Sequence, residues 1–410
     1  MDSKTGIPRP QIQSLNDILP QEPLLMMGAG PVPIPERVAK ANSVVINHLG
    51  PTMAKVIDQV KQMARYVFQT ESKWVLGVAG PASAAMEMSA VNLLQPGEKI
   101  LCLNNGFFSH RMAEMATRAG AEVHELHIPV HEAADPERVR KAIEKVRPKV
   151  ISMVQGETSN TVCNYTLKDI AAIAKSYGCL VVVDAVCTLS TMPLKMDEWN
   201  VDCVITGGQK GLSSIPGVSL VAFSDAAWKV IEDRSSPLTH WCFDARLAEN
   251  FWHRDGYHYT APVSGIMALH EALALVCEET LELRFSRHER CSKALQAGIE
   301  GMGLELFIKE KEARLNSVVG INIPETLTAK QICDHISDVY RVEIAGSFGQ
   351  PIVRIGQMGE QCREHNLFRT LHAFGSTMRD LGIRVDQPNG MAEMESYLQS
   401  TSQRRTRSVA

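Results

Sequence analysis

The segment TGGQKGLSS, residues 206–214, sets one lysine, Lys210, among small residues directly after the apolar run VDCVIT. Lysine ordinarily stands in solvent, and a free lysine amine, with a pKa of about 10.4, is protonated at neutral pH. A lysine at a ligand-bearing strand end can instead form an imine with a carbonyl cofactor, and once released it can carry a proton. Its neighbours Gly207, Gly208, Gly211 and Ser213 read as room for something bulky docked on the loop. Asp184 closes the run CLVVVD, where a carboxylate can pair with a cationic ring nitrogen. AGPASAAME (79–87) is a small-residue turn entering a helix, and free N–H groups at such a start suit a phosphate dianion. Phe107 and Phe108 follow KILCLNNG and offer an aromatic face; GETSN (156–160) follows VISMVQ. Each has a plainer reading: a solvated lysine, a turn aspartate, small residues easing strand–helix packing, a core phenylalanine. Together they describe one ligand, a planar, phosphorylated pyridine aldehyde.

These groups need a scaffold that gathers strand ends. From residue 73 the chain alternates apolar runs with helical periods. KWVLGVAG, KILCLNN, EVHELHIP, VISMVQ, CLVVVDAV, VDCVITG and VSLVAFS read as seven strands. Helices are expected over 53–69, 83–94, 109–120, 135–146 (Asp135 as cap, Pro136 in its first turn) and 167–178. The pattern predicts an α/β fold, a mostly parallel seven-stranded sheet sandwiched by helices, with ligands beyond the carboxyl ends of the strands. A long helix over 264–303, bent or broken near 280, leads to shorter elements that suggest a smaller C-terminal α+β domain. The expected division is an arm (1–27), a large domain (28–281), a small domain (282–382) and a polar, loosely ordered tail (383–410).

The 410 residues favour two domains. A net charge of −4 gives no reason to expect nucleic acid or an anionic membrane as partner. No run approaches the ~20 apolar residues of a membrane span, and the N-terminal segment lacks the apolar centre of a signal peptide. The ten cysteines are scattered without a C-x-x-C pair and read as small buried hydrophobes, not disulfides or metal ligands. The cytoplasm is the expected compartment, and no metal is expected.

The chain resembles the class V aminotransferases of the fold-type I pyridoxal-phosphate enzymes, the group with alanine–, serine– and ureidoglycine–glyoxylate aminotransferases. The resemblance rests on GAGPVPIPERV, LNNGFFSHR, QGETSN, VVVDAVCTL, TGGQKGLSSIPG, YHYTAPVSGIMALHEAL and VRIGQMG, in collinear order from about residue 25 to 382. It implies Lys210 as the Schiff-base lysine, and Asp184 on the pyridine nitrogen of pyridoxal 5'-phosphate. Val186 and Phe108 would take the two ring faces, and Thr158 a place near the phenolic oxygen. Ala82, Ser83 and Gln209 would hold the phosphate. Tyr257 and Thr260 would arrive from a second subunit, making a homodimer part of the site. Gly30, His48, Tyr257 and Arg354 would bind substrate, Arg354 holding the α-carboxylate, a bidentate task that suits guanidinium.

The ureidoglycine branch typically has Gln where this chain has His48, and Asn where it has Tyr257. The resemblance therefore implies a small amino donor, alanine or serine, and a small 2-oxo acid, glyoxylate or pyruvate. The alternatives are a ureidoglycine–glyoxylate or pyridoxamine–pyruvate type, or a lyase or desulfurase on the same fold. A desulfurase needs a reactive cysteine on a loop. Cys333 lies within an expected helix and Cys362 begins another.

Overall fold

The computed structural model describes residues 7, 9–253 and 256–408, with side chains through residue 401. Seven strands build the main sheet: β1 (Val75–Ala79), β2 (Lys99–Asn104), β3 (Glu122–His127), β4 (Val150–Val154), β5 (Leu180–Asp184), β6 (Cys203–Gly207) and β7 (Val218–Phe223). Their order is β1-β7-β6-β5-β4-β2-β3. All pairings are parallel except those of β7, which runs against β1 and β6. Every residue of β4 to β7 is buried. That is why they are continuous Val/Ile/Leu runs and not alternating ones. The fold is the expected α/β sandwich.

The helices begin where local chemistry lets them. Asp135 Oδ1 accepts from Arg138 N at 2.7 Å, with Pro136 in the first turn of Pro136–Val146. The long helix is two, Val263–Glu279 and Leu281–Gly301, broken at Thr280, whose φ is 67°.

A second apolar core gathers Met27, Leu295, Ile299, Ile321, Ile336, Ile355, Leu371 and Phe374. It covers a three-stranded antiparallel sheet of Val318–Asn322, Ile352–Gly356 and Ala345–Gly346, with Arg354 in the central strand opposite Gly320 and Ala345. One expectation needs correction here. The tail is not loose: Gln387–Ser408 is a helix packed on Leu281–Gly301, with Met394 and Leu398 buried in the second core. Its apolar residues Met391, Met394, Tyr397 and Leu398 recur at helical spacing within an otherwise polar stretch. The end of the arm is likewise built in. Leu25–Met26 pairs in parallel with Val342–Glu343, and Met27 is fully buried. Residues 1–6 and 8 of the expected arm, and 409–410 of the expected tail, lie outside the described residues.

The sheet order determines where a site can form. Asp184 ends β5 between Val154 of β4 and Ile205 of β6. The segments that follow these three strands, around 155–160, 184–187 and 207–211, therefore converge at one edge.

Candidate active site

One cavity at that edge is lined by Ala82, Ser83, Phe108, Thr158, Asp184, Val186, Gln209 and Lys210. Met86, Arg111, Gly156 and Cys187 complete it, residues to which the sequence reading assigns no role. Lys210 Nζ donates to Ala29 O, and Val32 N donates to Gln209 O at 3.1 Å, so the lysine turn is tied to the stretch GAGPV, residues 28–32. Gly30 has φ +96°, and a Cβ there would lie 2.7 Å from Lys210 Cδ. Only glycine lets that backbone pass the lysine. Burial holds the Lys210 amine below its ordinary value; the Arg354 charge acts the same way, and Asp184 opposes it.

The other glycines of the turn serve a different end from the one expected. A Cβ on Gly208 would lie 2.6 Å from Ile215 O, and one on Gly211 2.5 Å from Leu189 O. These two make room for backbone, not for a ligand. Gly207 alone faces the cavity wall, 2.8 Å from Ala82 Cβ by the same construction.

Burial pushes the Asp184 carboxyl up to about 6, against the pull of a hydrogen bond from Val186 N to Oδ1 at 2.9 Å. Its Oδ2 has no hydrogen-bond partner among the described residues, so one carboxylate oxygen stands free at the cavity wall. Gln209 Oε1 is buried without a partner. Turning that amide over would aim its N–H pair at the same place. The helix Ala82–Leu93 starts here with Pro81 as N-cap and no side-chain cap, so its first N–H groups are free for an anion. An unsatisfied carboxylate oxygen, an unsatisfied amide and an uncapped helix start are what a cationic ring bearing a phosphate requires. The residues fit pyridoxal phosphate.

The aromatic face is held by groups with no role in the sequence reading. Glu157 is fully buried; its Oε2 accepts from Phe108 N (3.0 Å) and Ser109 N (2.8 Å), pairing N–H groups that the start of helix Phe107–Arg118 leaves without a partner. A Cβ on Gly106 would lie 2.6 Å from Glu157 Cδ, so the chain entering this helix needs glycine. Arg111 donates to Ser83 Oγ at 3.0 Å and lies 4.8 Å from the Phe108 ring. Its spacing from Phe107 and Phe108 puts all three on one helix face, a signal present in LNNGFFSHR.

Arg354 is buried beside Thr158, near enough for its charge to act on the Lys210 amine. Its Nη1 donates to Thr158 O at 2.6 Å, Nε to Gly346 O at 2.8 Å, and Nη2 to the same carbonyl. Three of the five guanidinium N–H groups are used, and two remain. Burial lowers its pKa to about 10, so it is a cation at neutral pH.

Within one chain, His48, Tyr257 and Thr260 are not brought to Lys210. His48 and Tyr257 form an edge-on ring pair at 5.9 Å, and His48 lines a separate cavity of about 290 Å³ with Met53 and Phe251. Tyr259 accepts from Ala79 N at 3.2 Å and His258 is buried, whereas Tyr257 and Thr260 face outward. Cys333 is half-buried in helix Ala329–Tyr340, and Cys362 is buried. The cavity cysteine is Cys187, whose thiol burial pushes up and which donates to Gly156 O at 3.1 Å. A thiol so held is a poor nucleophile.

Comparison with known proteins agrees with this geometry. The family model for class V aminotransferases matches residues 36–355. An alanine–glyoxylate aminotransferase of Drosophila melanogaster is 33% identical over 371 residues, covering 88% of this chain and 94% of that one. The (S)-ureidoglycine–glyoxylate transaminase of Bacillus subtilis is 34% identical over 369 residues, covering 84% and 88%. The crystal structure of ureidoglycine–glyoxylate aminotransferase from Bacillus subtilis superposes with a TM-score of 0.90 at 31% identity, over 93% of this chain and 99% of that one. A lysine amine, a free buried carboxylate oxygen and an uncapped helix start thus share one crevice in a chain that belongs to the class V aminotransferases, and it is an aminotransferase.

Proposed function

We propose that the enzyme moves an amino group from a small amino acid, alanine or serine, to a small 2-oxo acid, glyoxylate or pyruvate, with pyridoxal 5'-phosphate held in the Lys210 cavity. The observation that carries this reading is the pairing of a half-buried lysine with a buried carboxyl in one cavity. When bound, the cofactor supplies a carbonyl for amine exchange and a ring that accepts electrons. Asp184 Oδ2 would hold the ring nitrogen in its cationic form. Ser83, Gln209 and the N–H groups at the start of Ala82–Leu93 hold the phosphate, with Arg111 positioned through Ser83. Phe108 and Val186, both on the cavity wall, would flank the ring. Lys210, with its amine pKa lowered, takes the proton from the α-carbon of the amino donor and, in the second half of the exchange, delivers one to the carbon that was the acceptor's carbonyl. Arg354 presents its two remaining N–H groups to the α-carboxylate.

Tyr257, Thr260 and His48 reach a Lys210 cavity in a homodimer, where they enter the partner's site. Exposed Val44, Val45 and Leu49 beside them supply an apolar face for the second copy. Because His48 and Tyr257 touch, both serve the same partner site. The ten free cysteines suit a reducing compartment, and we place the enzyme in the cytoplasm. A second reading, a ureido amine as donor, is favoured by the likeness to the Bacillus subtilis transaminase in sequence and fold. The test is a screen of amino donors against the cofactor-loaded enzyme. Alanine or serine should give the highest kcat/KM; a ureido donor exceeding both would replace the first reading with the second.

A further inference from the structure

Phe348 sits on the loop between strands Ala345–Gly346 and Ile352–Gly356 and is 54% exposed. Its ring stacks on Phe107, which is also half-exposed, at 4.7 Å and 18°, and stands perpendicular to Phe108 at 6.0 Å. Neither Phe107 nor Phe348 belongs to an apolar core, so core formation does not account for the stack. Its position is nonetheless fixed from both sides by a single residue. Ser159 Oγ accepts from Phe107 N at 3.1 Å, and Ser159 O accepts from Ser347 Oγ. A turn from the large domain thus pins both aromatic segments together.

The ends of the stack are cationic. Arg354 Cζ lies 5.6 Å from the Phe348 ring, and Arg111 Cζ lies 5.3 Å from the Phe107 ring. The sequence across the stack is Arg111, Phe107, Phe348, Arg354. A carboxylate on Arg354 therefore meets an apolar wall in the direction of the second guanidinium. A dicarboxylate would set its second charge against that apolar wall and gain no second ion pair there.

We infer that Phe348, stacked on Phe107, is a specificity-determining residue: it walls Arg354 off from Arg111, so the site accepts monocarboxylates and rejects dicarboxylates. The inference rests on the proposed role of Arg354 as carboxylate anchor. It deepens the small-substrate reading by naming what enforces it. Removing the ring opens a path along which one dicarboxylate can reach both guanidinium groups. A shorter apolar side chain keeps much of the wall.

The test uses the loaded enzyme, with propionate and succinate as unreactive probes in calorimetric titrations, and with glyoxylate and 2-oxoglutarate as competing acceptors. The wild type should bind propionate at least tenfold more tightly than succinate. Phe348→Ala should lower that ratio at least tenfold and raise kcat/KM for 2-oxoglutarate. Phe348→Leu should keep the ratio within about threefold. A ratio unchanged in Phe348→Ala, or an equal loss for both probes, overturns the inference and leaves the small-substrate reading standing. A wild type that prefers succinate and 2-oxoglutarate overturns both. If the donor screen names a different monocarboxylate amine, the propionate-to-succinate ratio still decides the wall on its own.

Discussion

Asp184 carries a measurable cost when its partner is missing. Its carboxyl is moved from 3.8 to about 6 by burial. The folded chain therefore binds the proton more tightly than the unfolded one. Stability of the cofactor-free chain is full below pH 3.8 and falls as pH rises through 6. A difference of about 2.2 pH units at about 1.36 kcal/mol each is about 3 kcal/mol lost by neutral pH. Asp184→Asn removes that term while an amide oxygen still accepts from Val186 N. At about 2.1 cal/mol/K per residue, the unfolding entropy of a chain of about 400 residues converts 3 kcal/mol into about 3–4 °C. The cofactor-stripped variant should then melt about 3–4 °C above the stripped wild type at pH 7.5, and level with it near pH 4. Adding pyridoxal phosphate should reverse the order, because only the carboxylate gains a cationic partner. Calorimetry at the two pH values, with and without cofactor, reads all four states. A variant less stable than wild type at pH 7.5 without cofactor, or equally stabilised by cofactor, would refute the reasoning.

Other outcomes follow from the same geometry. Burial pushes the Glu279 carboxyl up, but the Arg287 hydrogen bond and the charges of Arg284 and Arg287 outweigh it and hold it at about 2. Glu279→Gln should cost about 3 kcal/mol above pH 4.5, a gap that closes as pH falls toward 2; a gap constant with pH would assign the loss to packing. Because Arg284 also donates to Gly211 O at 2.6 Å, that variant should loosen the Lys210 turn and weaken cofactor retention in equilibrium dialysis. Gly30→Ala, whose Cβ meets the Lys210 side chain at a backbone φ of +96°, should lose most turnover and also melt below the wild type in calorimetry. Arg354→Lys should raise KM for the amino donor about 10- to 100-fold with a smaller change in kcat, the worth of a charged hydrogen bond. Mixed after denaturation and refolding, Lys210→Ala and Tyr257→Ala chains should recover about a quarter of wild-type activity, since half the dimers are mixed and each has one intact site.

Much of the sheet was legible because buried parallel strands leave continuous apolar runs. The ends of CLVVVD and VDCVITG then pointed to Asp184 and Lys210. The direction of β7 was not legible, because a fully buried run carries no period that encodes orientation. The tail helix was missed for a related reason. Its polar residues outnumber the stripe of Met391, Met394 and Leu398 that docks it. The buried anchors Glu157 and Ser159 were hidden inside a motif whose visible feature was polarity, since their partners lie near residues 107 and 347, far away in sequence. The glycines of the lysine turn were assigned to the ligand, but Gly208 and Gly211 serve carbonyls at Ile215 and Leu189, contacts that only the folded loop creates.

The central claim is that Lys210 and Asp184 run amino transfer from a small amino acid. Its most direct test is a single half-reaction. Loaded enzyme is mixed with alanine and no 2-oxo acid, and pyruvate is counted per Lys210. The account predicts one equivalent for the wild type, then no more until glyoxylate is added, and none for Lys210→Ala. Pyruvate from the Lys210→Ala protein at the wild-type rate, or no 2-oxo acid from alanine or serine with wild type, would contradict it.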